Sequence, residues 1–325
     1  MRPARILFAM TALWFTALPA VAAWDGSGDP ANVGDPANVG DPPNPSSDSS
    51  PGNAIGGWEL PAWLELGGQI PGRVEDPSGA SVIKNASNAY YLSRIRMHLG
   101  IQPTSWLRFF AEAQDARVGG YDTSPAPNTI YNPMDVRQAY VQVNYEGVVN
   151  VTARAGRQEL LFGGERLIGP ADWGISHTFD AVDLTVSEGN AKVDLFAGSV
   201  VLIDPSRLDR SKPGEHVYGA YGSVKKILPG MDVEPYFLFK LTLLVKSAAG
   251  SVGDALVLSP GVRVIGKTPG RFDYVMELVL QRGSYSSDKI AAAATSYVAG
   301  WTMNHSRFQP RLSLEYNYAS GDPTK

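Results

Sequence analysis

The sequence predicts an all-β protein, a transmembrane antiparallel up-and-down β-barrel. Three observations carry this reading: apolar and polar residues alternate with a period of two over most of the chain, the polar parity is dense in charge, and turn-forming residues punctuate the runs. Successive side chains of a strand point to opposite faces, so sustained alternation means one apolar and one polar face.

The chain opens on a basic start, Arg2 and Arg5, followed by an apolar run from Ile6 to Leu18 and the small residues Ala20-Val21-Ala22-Ala23. That layout predicts a secretory signal peptide over residues 1–23, cleaved after Ala22 or Ala23. As a membrane anchor the run falls short of the ~20 apolar residues a helical span needs, and Pro19 ends it. No later stretch is long and apolar enough for a helical span, so the exported chain either folds in solution or crosses a membrane as strands.

Residues 24–57 read as a disordered linker rich in Pro, Gly, Asn, Ser and Asp. It carries a tandem hexad, Asp29-Pro-Ala-Asn-Val-Gly34 and Asp35-Pro-Ala-Asn-Val-Gly40. Such a composition buries too little apolar area to offset its ordering entropy. Pro-spaced single aspartates also fail to supply the six or more converging oxygens Ca²⁺ requires.

Residues 58–325 form the predicted barrel domain. Tyr91, Ile95, Met97, Leu99 and Ile101 fall on one parity, and Arg94, Arg96, His98 and Gln102 on the other. Leu107, Phe109, Ala111 and Ala113 oppose Arg108, Glu112 and Gln114, with Trp106 and Phe110 on the polar parity. Val151, Ala153 and Ala155 oppose Thr152 and Arg154; Val193 and Leu195 oppose Lys192 and Asp194. Val233, Phe237 and Phe239 oppose Glu234, Tyr236 and Lys240. Met276, Leu278 and Leu280 oppose Glu277 and Gln281, and Leu312, Leu314 and Tyr316 oppose Arg311, Ser313 and Glu315. Turn signals stand between the runs: Pro125-Ala-Pro127, Glu146-Gly147, Glu188-Gly189-Asn190, Leu228-Pro229-Gly230, Thr268-Pro269-Gly270 and Gly283-Ser284. Their spacing predicts an antiparallel meander of about thirteen strands. No amphipathic helix stands out; Ala291 to Ala294 is an alanine run inside a strand-like stretch.

A soluble sandwich and a membrane barrel both alternate, and the polar face decides between them. Here it is rich in Arg, Glu, Asp and Gln on runs of the ~9–11 residues that cross a bilayer at a tilt. Tyr90, Tyr91, Trp106, Tyr145, Tyr274, Tyr316 and Tyr318 suit interfacial girdles. In a barrel of more than about a dozen strands the interior is too wide to fill with side chains, so its charges stay hydrated. Arg94, Arg96, Arg108, Arg154, Lys240, Arg263 and Arg311 are lumen candidates on parity, and such cations favour anions. Glu112, Glu234, Glu277 and Glu315 share that parity and make the lumen mixed in charge.

The net charge of −4 argues against a nucleic-acid partner. The absence of cysteine removes disulfides and thiolate sites. The four histidines, His98, His177, His216 and His305, show no metal-binding spacing, and Ser176-His177 with Asp180 lacks a Gly-x-Ser-x-Gly elbow. No enzyme, metal or cofactor is predicted.

Tyr91–Leu99, Trp106–Arg117, Val136-Arg-Gln-Ala-Tyr-Val-Gln-Val143, Ala155-Gly-Arg-Gln-Glu-Leu-Leu-Phe-Gly163, Phe179-Asp-Ala-Val-Asp183 and Tyr318–Asp322 resemble, in this order, the alginate-export family of outer-membrane barrels. The resemblance implies an eighteen-stranded barrel whose arginine-rich lumen passively exports an anionic polysaccharide, an alginate-like polyuronate, across the bacterial outer membrane. It adds Arg137 and Arg157 as substrate-contacting candidates, although simple alternation puts both on the apolar parity; a bulge or a position beyond the lipid band would reconcile the two. The implied partners are outer-membrane lipid and an anionic polysaccharide or small anionic solute, with no periplasmic export partner recognisable. The final Gly321-Asp-Pro-Thr-Lys325 lacks the aromatic-ended strand expected of such barrels, which leads to the expectation of an incomplete barrel domain. A general or small-solute porin and a structural or adhesive barrel are the alternatives.

Overall fold

A computed structural model describes residues 54–55, 58–76, 89–121, 126–169, 175, 177–247, 250–303 and 309–321. The predicted signal peptide and nearly all of the predicted linker lie outside them, as do Ser176, His305 and residues 322–325.

Alternation becomes strand almost without interruption. A short hairpin, β1 (Ala54–Ile55) and β2 (Trp58–Glu59), precedes β3 (Leu64–Gln69), β4 (Gly72–Glu75), β5 (Tyr90–Thr104), β6 (Leu107–Gly119), β7 (Asn132–Tyr145) and β8 (Asn150–Gln158). There follow β9 (Phe179–Glu188), β10 (Ala191–Leu202), β11 (Arg210–Leu228), β12 (Met231–Lys246), β13 (Val252–Lys267), β14 (Phe272–Tyr285), β15 (Asp288–Thr302) and β16 (Arg311–Ala319). From β5 onward every strand pairs antiparallel with its neighbours in sequence, while β3 and β4 both pair with β5, giving one sheet of fourteen strands. Among the described residues no pairing joins β16 to β3 or β4, so this sheet keeps two free edges.

Most of the expected turns are where their residues predict. Glu146-Gly147, Gly189-Asn190, Pro229-Gly230 and Pro269-Gly270 lie in or beside the connections at one end of the sheet. Gly283-Ser284 differs: both lie inside β14, and the turn is Ser286-Ser287. The opposite end carries the three longest connections, β4–β5, β6–β7 and β8–β9, together with the short β14–β15 turn, whereas the eight-residue β15–β16 connection returns at the first end. Outer-membrane barrels show this asymmetry, with short turns on the periplasmic side and long loops outside.

The two faces separate as the parity predicts. Met97, Leu195, Phe237, Leu278 and Leu314 are exposed, whereas Arg96, Arg108, Glu112, Asp194 and Arg263 are buried. Charge inside and hydrocarbon outside is the inverse of a water-soluble core, and it fits a wall facing lipid.

Curvature follows from a covalent constraint. Arg166 lies eight residues beyond the end of β8, a span of at most about 28 Å, yet its guanidinium meets Glu315 on β16. Eight strand spacings in a flat sheet would cover about 38 Å. The two side chains add about 12 Å of reach, but residues 159–166 are not extended, since the Glu165 N–H turns back to the Phe162 carbonyl at 3.1 Å; the contact is met with the sheet curled and its polar face concave.

Candidate functional site

The concave face is a wall of paired cations. Arg94 reaches Gln69 at 3.4 Å, and Arg96 donates to Gln114 at 2.7 Å. Arg108 pairs with Glu65 at 2.7 Å and lies over the Phe110 ring, 5.4 Å from its centroid. Arg154 donates twice to Gln142, at 3.0 and 3.2 Å, and covers the Tyr140 ring at 4.6 Å. Lys240 meets Glu215 at 2.7 Å, Arg263 meets Glu234 at 2.8 Å, and Arg311 chelates Asp273 through Nε at 2.9 Å and a second, Nη2 contact. The seven candidates placed by parity thus share one face but are spread over six strands and do not converge on a single point.

Arg137 reaches the same face by a bulge. Glu112 pairs with Gln138 while Ala113 pairs with Val136, so Arg137 is the extra residue and its side chain turns inward. There it is 5% exposed and paired with both Glu112 and Glu159. The β7–β8 and β8–β9 pairings are continuous, so Arg157 stays on the parity of Ala153 and Ala155, at the long-loop end of β8. It grips Asp180 at 2.9 and 3.2 Å and the Val136 carbonyl at 3.2 Å.

These contacts give the sequence motifs a physical reason. Gly156, with φ of 130°, brings β8 against Tyr140 and the Ala139 carbonyl so closely that a Cβ would lie 2.3 Å from that oxygen. Arg157 ties the Gly-Arg-Gln segment to Asp180 of the Phe-Asp-Ala-Val-Asp segment, and fully buried Gln158 donates to the Ala181 carbonyl at 3.0 Å. Arg137 joins the Val136–Val143 segment to Glu112 of the β6 segment and Glu159 after β8. The motif arginines therefore knit four strands together at the mouth of the sheet.

Sequence reasoning missed the segment that follows β8. Residues 159–169 fold onto the concave face instead of running outward, and Leu160 and Ile168 are buried in a cluster with Phe196, Val217, Tyr221 and Tyr236. Phe162 stacks on Phe196 and Tyr221 at 4.7 and 5.2 Å, and Tyr221 stacks on Tyr236 at 5.5 Å. The buried hydroxyls are satisfied: Tyr221 donates to Glu234 at 2.6 Å and Tyr236 to Glu277 at 2.8 Å. Gly163, at φ 58°, passes so near the Tyr221 hydroxyl that a Cβ would sit 2.5 Å away. Beyond it Arg166 crosses to the far wall, 3.0 Å from Glu315 and 3.8 Å from Glu277. The available signals were the Gly163-Gly164 pair and the apolar Leu160, Leu161 and Phe162, too short a run to read as a strand.

The histidines form no catalytic constellation among the described residues. His98 stacks on Phe110 at 5.6 Å and lies 3.4 Å from Glu65. His216 Nδ1 lies 2.8 Å from the Ser199 hydroxyl, while neighbouring Asp180 is held by Arg157 and Ser211 instead. His177 is exposed. No group of three or more His, Cys, Asp or Glu among the described residues could hold a metal ion.

The model of the family described as "Alginate export" matches residues 62–325. The chain belongs to the alginate-export family. That membership, with a curled meander whose hydrocarbon face points outward, supports an outer-membrane channel rather than an enzyme. No curated protein matches the chain. Among solved structures, a porin refined at 1.8 Å shares 12% identity at a TM-score of 0.38, covering 80% of this chain and 96% of its own. Two mutants of the Rh. blastica porin share 9% and 10% identity, both at a TM-score of 0.26 and covering 78% of this chain, and 100% and 98% of their own. In this alginate-export family member, the sheet is the wall and residues 159–169 lie against its concave face.

Proposed function

We propose that this protein is an outer-membrane channel for the passive export of an anionic polysaccharide of the polyuronate class, carried past the cations of the concave face. The observation that carries the reading is the arrangement of those cations: Arg94, Arg96, Arg108, Arg154, Lys240, Arg263 and Arg311 lie on one face of a family member, each held in place by a polar or carboxylate partner. A planar guanidinium binds carboxylate through two parallel hydrogen bonds, so a repeating carboxylate polymer can exchange at the more exposed cations, Lys240 and Arg311, while buried Arg263 keeps Glu234. Exchange keeps each site weak, as conduction requires. The compensating carboxylates Glu65, Glu112, Glu215, Glu234 and Asp273 predict a modest, not strict, anion preference.

Single-channel recording in planar bilayers tests this. Polyuronate added to one side should produce resolved current blocks that a neutral glucan of equal length does not. Equal block by both would assign a general porin instead.

A further inference from the structure

The ion pairs on the concave face differ in what their separation would leave behind. Arg263, 3% exposed, and Arg137, 5% exposed, are paired with carboxylates that are themselves largely buried, so parting them would strand a buried charge. Arg166 is different. It is 42% exposed, and its partner Glu315 is 50% exposed. If Arg166 left, Glu315 would keep the Asn317 amide at 2.8 Å, and Glu277 would keep the Tyr236 hydroxyl at 2.8 Å. Glu277, 11% exposed, would thus keep a donor, and the Arg166–Glu315 pair, exposed on both sides, contributes little. Arg166 also carries the ion pairs by which a loop rooted after β8 meets β14 and β16, so its partners help decide how the loop is tied to the far wall.

We infer that Arg166 is a carboxylate-exchange site: the carboxylates of a transported polyanion displace Glu277 and Glu315 from its guanidinium, and this frees residues 159–169 from the far wall. The inference rests on the polyuronate reading above. No covalent step is involved; two substrate carboxylates take the guanidinium, and the counter-cations that the polyanion brings pass to the released Glu277 and Glu315, so that charge balances. The substrate thereby moves aside the loop that lies against the concave face. The Phe162 stack on Phe196 and Tyr221 is the hinge side that stays, or yields last, because its contacts are apolar and do not exchange with ions.

The chain contains no cysteine, so a single engineered thiol reports loop position cleanly. Ser296, 6% exposed, lies on β15 in register with Glu277 and Asn317, on the far wall that Arg166 meets. In a Ser296→Cys variant of the full chain, folded in detergent or liposomes, alkylation by an uncharged maleimide should be slow. A uronic-acid oligomer should accelerate it about fivefold, the scale set by losing one exposed ion-pair linkage, and a neutral glucan oligomer should not. Adding Arg166→Gln should make alkylation fast from the start and insensitive to the oligomer; Glu315→Gln should raise the basal rate yet keep a response through Glu277. Current block by polyuronate without acceleration of alkylation, or an Arg166→Gln variant that responds like its parent, would overturn the exchange site and leave the export reading standing. Neither block nor acceleration would overturn both.

Discussion

Arg263 and Glu234 meet at 2.8 Å across β13 and β12, and the same carboxylate oxygen accepts the Tyr221 hydroxyl at 2.6 Å. One buried oxygen thus serves a strand-to-strand ion pair and the aromatic floor on which residues 159–169 rest. Glu234→Gln leaves Arg263 buried with its charge uncompensated, whereas a mutation of an exposed lumen pair does not. The expected loss is about 3 kcal/mol for Glu234→Gln and below about 1 kcal/mol for Lys240→Gln, measured by urea titration in a lipid-reconstituted folding assay.

The orientation of the faces is testable by paired substitutions on one strand. Met97, 68% exposed, points outward, and its neighbour His98 points to the concave face. Met97→Arg should cost about 2–4 kcal/mol near the bilayer centre. His98→Arg joins a hydrated wall and should cost far less. Equal costs in liposome refolding would mean that the outward face does not meet lipid.

Gly163 allows the loop to cross Tyr221. Gly163→Ala adds a Cβ at 2.5 Å from the hydroxyl in a left-handed conformation. The expected penalty is on the order of 1–2 kcal/mol, localised to the loop. Limited proteolysis within residues 159–169 should accelerate while the sheet keeps its far-UV dichroism.

A fourth prediction concerns pH. In the β10–β11 connection Asp209 accepts hydrogen bonds from the Asp204 amide at 2.7 Å and Asn132 at 2.8 Å, and lies against Asp135. Burial, reinforced by the Asp135 carboxylate, pushes its carboxyl up to about 6. A carboxyl with a raised folded-state pKa contributes stability that is present below its unfolded value and lost as pH rises through the folded one. Native stability should therefore fall by on the order of 1–2 kcal/mol between about pH 4 and pH 6 from this group. Asp209→Asn should flatten that part of the profile. A slope identical to that of the parent would remove Asp209 as its source.

Much of the wall was legible in the sequence because a period of two is set by strand geometry itself. Arg96, Arg108, Arg154 and Lys240 could be placed on the inner face from their neighbours alone. The meander also followed from Pro-Gly and Gly-Asn punctuation, and the count of about thirteen strands lies beside the fourteen of the sheet. What alternation could not carry was Arg137, because a bulge adds one residue and reverses the parity beyond it. The partners of the cations were equally hidden: Glu215 facing Lys240 and Asp273 facing Arg311 depend on register between strands, which a single-strand pattern does not encode. The inward loop stayed invisible for a related reason, since Phe162 and Arg166 owe their positions to Tyr221, Glu277 and Glu315, residues distant in sequence.

The central claim, a channel for a polyanion, is tested most directly by efflux from proteoliposomes. Liposomes carrying the protein would be loaded with a uronic-acid oligomer and a neutral glucan oligomer of the same length, each tagged differently. The account predicts that both leave faster than from protein-free liposomes, with the uronate ahead, and that the lead shrinks when Arg96 and Arg108 are replaced by Gln. Retention of both oligomers, or faster release of the neutral one, would contradict it.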